Sequence, residues 1–229
     1  MGRVQVFDVN ETLLDLAAMD PHFQRIFGDP GVRVTWFSQM ISSALVATVT
    51  GAYHPFGDHA MAALEMTAEQ AGVTLADDDK RAVAAQLRHL PAHPEVAGAL
   101  GRLRDAGLRL ASLTNSTEEV ARDQLQHAGL LDAFELVLSA DTAGRLKPAP
   151  EPYRMAAERL GVAVGQVRLI AAHAWDVAGA ARAGCATAFV ARPGKVLDPL
   201  VERPGIVGAD LAEVAEAILA VEREDDGRS

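Results

Sequence analysis

Apolar positions fall into two textures along the chain. Val4, Val6 and Phe7 make a short run that stops at Asp8, the pattern of a buried strand ending in a polar residue. From Leu14 to about Leu90 the spacing is helical, broken by Gly28-Asp29-Pro30-Gly31 and by His54-Pro55. A strongly apolar stretch at 35–49 carries Trp36, Phe37 and Met40, and two amphipathic helices with acidic starts are predicted over 58–72 and 77–90. Pro91 and Pro94 punctuate the chain there. Helices and strands then alternate. The pattern predicts helices over 95–106, 118–128, 151–160 and 177–183, followed by strands over 108–113, 135–138, 167–171 and 186–190. Gly107, Gly129, Gly161 and Gly184 fall where those four helices should stop. A last helix over 210–221 is expected to give way to a frayed, charged tail over 222–229.

Repeated helix–glycine–strand units are the crossovers of a parallel sheet. The predicted fold is therefore α/β: a Rossmann-like parallel sheet made from 1–13 and 92–229, with a helical cap inserted over 14–91. The length of 229 residues agrees, at roughly 150 residues per domain. Ligands of open parallel sheets sit beyond the carboxyl ends of the strands. That rule gathers Asp8, Thr114-Asn115, the loop carrying Lys147 and the segment ending at Asp176 around one crevice.

Composition narrows the partners. Apolar residues make up 49% and charged residues 23%, an ordinary globular balance. Asp and Glu number 31 against 21 Lys and Arg, a net charge of −10 that disfavours nucleic acid or an anionic membrane surface. No run approaches the ~18 apolar residues of a membrane span. The single cysteine, Cys185, allows no internal disulfide, and the chain starts with a strand rather than an export signal, so a cytoplasmic location is expected. His22, His54, His59, His89, His93 and His127 show no metal-ligand spacing.

The strand-end residues carry a resemblance. Phe7-Asp8-Val9-Asn10-Glu11-Thr12-Leu13 resembles the first motif of the haloacid dehalogenase superfamily, whose leading aspartate is a covalent nucleophile. Leu113-Thr114-Asn115 resembles its second motif and Lys147-Pro148 its third. Ala172-His173-Ala174-Trp175-Asp176 resembles the fourth motif in the type II (S)-2-haloacid dehalogenase branch, and Tyr153 matches a further position of that branch. The resemblance covers essentially the whole chain, helical insertion included. It implies hydrolytic dehalogenation of a short 2-haloalkanoic acid to the 2-hydroxy acid, with no cofactor and no metal, and leaves room for a homodimer.

The chemistry can be argued beside the resemblance. A carboxylate nucleophile must stay ionised, and a nearby ammonium keeps its pKa down. Lys147 can serve Asp8 in that way, and Thr12 is a short donor suited to orienting it. Asp176, with His173, is expected to orient and deprotonate the water that opens the ester. Thr114 and Asn115, with Asn10, Tyr153 and the cap residues Trp36 and Phe37, are the expected substrate contacts. Family phosphatases carry an acid two residues after the nucleophile and bind Mg²⁺ through an acidic fourth motif. Here Asn10 and Ala172 occupy those positions, which argues against phosphoryl transfer. Halide needs neither, because it leaves unprotonated. The resemblance also implies a halide-binding arginine in the cap, but counting back from Thr35-Trp36 lands on Gly28, leaving Arg33 or Arg25 as candidates. The alternatives are a phosphatase of the same superfamily and a non-catalytic member that binds a small acid or a protein.

Overall fold

The computed structural model describes residues 2–226. Strand β1 (Val4–Phe7) is buried along its whole length, as a strand covered on both faces must be. Val4 and Val6 point to one face and Gln5 and Phe7 to the other, the period-two consequence of the pleat. The polar Gln5 is tolerated because its Nε2 donates to the Arg3 carbonyl and its Oε1 accepts from Arg168.

Four helices follow: α1 (Asp20–Phe27), α2 (Val32–Thr50), α3 (Phe56–Ala71) and α4 (Asp77–Leu87). The chain leaves and rejoins the sheet layer at neighbouring points. Leu14 bridges Ala92, Asp15 donates to the Pro91 carbonyl, and His93 donates to the Leu13 carbonyl.

The alternating part then runs α5 (Val96–Asp105), β2 (Leu110–Thr114), α6 (Glu118–His127), β3 (Leu136–Ser139), α7 (Pro150–Leu160), β4 (Val167–Ala171), α8 (Ala174–Ala183), β5 (Ala186–Val190), β6 (Ile206–Gly208) and α9 (Leu211–Asp226). The strands form one parallel sheet in the order β3-β2-β1-β4-β5-β6. One face packs on α7 and α8 through Val6, Leu169, Tyr153 and Val177. The other packs on α5, α6 and α9, and its cluster continues without a break into Phe23, Trp36 and Leu64 of the helical insertion. Gly184, at φ +103°, ends α8 in a left-handed turn that only glycine enters cheaply.

The alternating texture is borne out, with two corrections. Strand β6 was not anticipated, because three residues behind Pro204-Gly205 leave too short a run to read. The tail expected to fray is helical through Asp226, and Glu222 is buried with its carboxylate on Arg168 of β4 at 2.8 Å. Residues 227–229 lie outside the described residues. Among the described residues no helix is long and apolar enough to cross a membrane.

Candidate active site

The carboxyl ends of β1, β2 and β4 meet at Asp8. Its Oδ1 accepts from the Lys147 ammonium at 2.9 Å and its Oδ2 from the Thr12 hydroxyl at 2.6 Å. Thr12 in turn accepts from the Ala172 amide at 2.9 Å, so its hydroxyl ties the end of β4 to the carboxylate. Lys147 is fully buried and its ammonium has three acceptors: Asp8 Oδ1, the Leu113 carbonyl at 2.9 Å and Asp176 Oδ2 at 2.5 Å. That is every hydrogen it owns.

The sequence places Lys147 there through its neighbours. Asn115 clamps the lysine's own backbone, its Oδ1 accepting from the Lys147 amide at 2.7 Å and its Nδ2 donating to the Lys147 carbonyl at 3.3 Å. Gly179 of α8 lets Pro148 and Tyr153 approach closely, since a Cβ there would lie 2.5 Å from Pro148 and 2.7 Å from the Tyr153 hydroxyl.

Electrostatics follow from this packing. Burial pushes the Asp8 carboxyl up, but Lys147, His173 and Thr12 outweigh it and hold the group well below the usual carboxylate range. Burial likewise works against the charged Lys147, and the two carboxylates beside it more than compensate, so its pKa is raised. Burial lifts the Asp176 carboxyl above its ordinary value against the pull of Lys147.

His173 stands on the other side of Asp8. Its Nδ1 lies 3.3 Å from Asp8 Oδ2 and its Nε2 lies 2.8 Å from Glu11 Oε2. The ring is stacked between Phe37 and Trp175. Burial favours the neutral ring, yet contact with Asp8 and Glu11 pushes the His173 pKa up to about 9. With Asp8 ionised beside it, the resting site therefore favours the imidazolium form of His173.

Above Asp8 is a cavity of about 10 Å³, lined by Asn10, Thr114 and Asn115 below and by Phe37, Ile41 and Phe56 above. A larger opening of about 550 Å³ lies alongside, lined by Glu11, Arg33, Phe37, Arg192 and Lys195. Phe37 is a wall common to both. Asn10 keeps one Nδ2 hydrogen on Ser116 and accepts from Gln124, and Thr114 accepts from the Ser116 amide, which leaves its own hydroxyl hydrogen available to a ligand. No group of three or more His, Cys, Asp or Glu among the described residues is placed to hold a metal. The gap between the carboxylates of Asp8 and Asp176 is spanned by the Lys147 ammonium.

Four expected contacts are corrected. Trp36 is fully buried, its indole donating to the Ala60 carbonyl at 2.8 Å and its rings packed on Phe23, so it holds α2 to α3 instead of facing a ligand. Tyr153 is also buried and donates to Asp176 Oδ1 at 2.6 Å. Asp176 is buried, with one oxygen on Lys147 and the other on Tyr153. Arg33 is paired with Asp20 at 2.5 Å and lines the outer opening, and Arg25 is paired with Asp79, so neither guanidinium reaches Asp8. Glu11 and Lys195 were missed. An isolated Glu and Lys in loops look solvated, and only the fold brings them 2.6 Å apart beside His173.

Comparison with known proteins agrees with the architecture. A family model described as haloacid dehalogenase-like hydrolase matches residues 3–184. An (S)-2-haloacid dehalogenase from Pseudomonas sp. (strain CBS-3) is 31% identical over 195 residues, 84% of this chain and 86% of the relative. Haloacetate dehalogenase H-2 from Moraxella sp. (strain B) is 28% identical over 86% of this chain and 89% of its own. The solved L-2-haloacid dehalogenase of Xanthobacter autotrophicus, with chloropropionic acid covalently bound, superposes with a TM-score of 0.88 at 24% identity, covering 96% of this chain and 99% of that one. Sheet order, strand-end carboxylate and these matches converge: the chain belongs to the haloacid dehalogenase-like hydrolase family.

Proposed function

We propose that this protein hydrolyses the carbon–halogen bond of short 2-haloalkanoic acids, giving the 2-hydroxy acid and halide through an ester on Asp8. The observation that carries this reading is the state of Asp8: an ionised, buried carboxylate fixed by Lys147 and Thr12, beneath a cavity roofed by Phe37, Ile41 and Phe56. A carboxylate stripped of water and oriented by two donors is poised for in-line attack on carbon.

The remaining assignments follow from position. The helices of 14–91 act as the cap over the site. Lys147 keeps Asp8 ionised, with Asp176 and Tyr153 as its supports. The Thr114 hydroxyl and the free amide hydrogens of Asn10 and Asn115 are the donors available to the substrate carboxylate and the departing halide, and Phe37 supplies apolar wall. Asn10 offers no proton to a phosphate leaving group, and Lys147 spans the carboxylates that a hard cation would bridge. Expulsion of halide requires neither.

Single-turnover reaction of 2-chloropropionate in ¹⁸O-water tests the reading. Label should enter the Asp8 side chain, because water attacks the ester carbonyl. Label found only in the hydroxy acid would mean direct attack of water on carbon and would overturn it.

A further inference from the structure

Two spaces of very different size meet beside Asp8, a cavity of about 10 Å³ and an opening of about 550 Å³. The first has room for about one water, whereas the second is as large as pockets that enclose a whole small molecule. One ring divides them. Phe37, in the second turn of α2, lines both. It is held by stacking on His173 at a centroid distance of 5.7 Å, by an edge contact with Trp36 at 6.4 Å and by the Lys195 ammonium 5.5 Å from its centroid.

The charged groups of the larger opening are already committed to one another. Arg33 pairs with Asp20 at 2.5 Å, Lys195 with Glu11 at 2.6 Å and Arg192 with Glu95 at 2.5 Å. Asp15 accepts from the Ala17 amide at 2.9 Å. Burial holds His93 below its ordinary pKa, so its ring is uncharged at neutral pH. An anion entering here meets cations that are each neutralised, and must break a pair to be held. What the opening offers instead is alkyl and ring surface, from Leu16, Val34, Phe37, Pro94 and Pro193. Val34 is 58% exposed, an apolar side chain left open to water with space beside it.

We propose that this opening seats the side chain of the substrate, and that the enzyme accepts 2-halo acids carrying a long alkyl or arylalkyl group on C2, with Phe37 dividing that group from the reacting atoms. The proposal rests on the aspartyl-ester reading above and extends its substrates beyond short acids.

Placement follows from the directions around C2 that are already taken. Asp8 attacks in line with the departing halogen. The acid's own carboxylate takes the donors of Asn10, Thr114 and Asn115 beneath the cavity. Of the two substituents left, one is hydrogen, and the other points at the walls above. Ile41 and Phe56 back onto packed core, and of the three cap residues there only Phe37 backs onto open volume. A methyl group stays below the ring. A longer chain passes its edge and lies on Leu16, Val34 and the two prolines.

Steady-state kinetics on a series of 2-bromo acids tests this. For wild type, kcat/KM should rise about fourfold for each methylene between 2-bromobutanoate and 2-bromohexanoate. 2-Bromosuccinate, whose side chain ends in a second carboxylate, should fall below 2-bromobutanoate. Phe37→Ala should raise kcat/KM for 2-bromo-3-phenylpropionate relative to 2-bromopropionate about tenfold, because the substrate then supplies the missing ring. Phe37→Leu, the milder change, should move the same ratio in the same direction. The ratio cancels any loss common to both acids through the contact of Phe37 with His173. Val34→Thr, isosteric and exposed, should lower the ratio of 2-bromohexanoate to 2-bromopropionate about threefold. A series that is flat or falls with chain length, Phe37 variants that affect both acids equally, or an unchanged ratio in Val34→Thr would overturn the proposal. 2-Bromosuccinate turning over better than 2-bromobutanoate would also overturn it, by making the opening a seat for an anion. Failure of every 2-bromo acid to add ester mass to the protein under rapid quench would overturn the aspartyl-ester reading instead.

Discussion

A histidine held as a cation inside a protein ties folding to pH. The ordinary value of 6.5 is the unfolded reference, and in the fold His173 sits at about 9. Because the folded pKa is the higher, its stabilising contribution is fully present below about pH 6.5 and is lost as pH rises through 9. The difference corresponds to roughly 3 kcal/mol. Thermal unfolding should therefore show wild type losing stability across that window more steeply than His173→Asn, and parallel profiles would mean the ring is neutral in the fold. Asp8, Thr12, Lys147 and His173 could be found from sequence because each ends a strand or sits in a strand-end loop, where topology alone makes side chains converge. Trp36, Tyr153 and Arg33 could not be placed in that way. Whether an aromatic or an arginine on a helix faces a ligand or a neighbour depends on rotation and partner, and Ala60, Asp176 and Asp20 claim these three.

Among the elements, α9 shows what periodicity can and cannot convey. Val214, Ile218 and Leu219 announce an amphipathic helix, but Glu222 reads as the start of a solvated tail. Its buried partner Arg168 lies 54 residues earlier, in the middle strand of another unit. Removing one side of a buried ion pair costs more than removing an exposed one, so Glu222→Ala should cost on the order of 3 kcal/mol in chemical denaturation. A loss no greater than that of exposed Arg122–Glu118, worth under about 1 kcal/mol, would mean the pair is open to water. The parallel crossovers were legible for the opposite reason. Helix, terminating glycine and apolar strand are all local signals, repeated in each unit, and need no knowledge of what lies across the sheet.

For the molecule as a whole, access is the outstanding requirement. The cavity against Asp8 has room for about one water, far less than a halo acid needs. On the proposed reading the helices over 14–91 shift away from the sheet layer to admit substrate, and two contacts tie them on the side away from the outer opening. The Tyr53 hydroxyl meets Asp141 after β3, and Arg145 donates to the Thr48 carbonyl at the end of α2. Burial and the Asp141 carboxylate raise the Tyr53 pKa, so this contact persists through the ordinary working range of pH. Tyr53→Phe removes a hydrogen bond to a carboxylate and should speed amide exchange near the C-terminus of α2 about tenfold. Exchange in β1 and β4 should be unaffected. Equal acceleration throughout would show that the cap and sheet open as one unit.

The three-point seat of Lys147 has a consequence beyond the first step. Alkylation of Asp8 withdraws one anion from the ammonium but leaves Asp176 and the Leu113 carbonyl in place. The lysine is therefore still anchored when the ester forms. Carbon added to Oδ2 leaves Oδ1, the oxygen that Lys147 already touches, as the ester carbonyl. When hydroxide adds there, negative charge grows on an atom with a cation waiting 2.9 Å away, and nothing has to reorganise to meet it. On the proposed reading one immobile ammonium acts twice, first as the counter-ion that keeps a nucleophile ionised and then as an oxyanion hole for the electrophile that nucleophile has become.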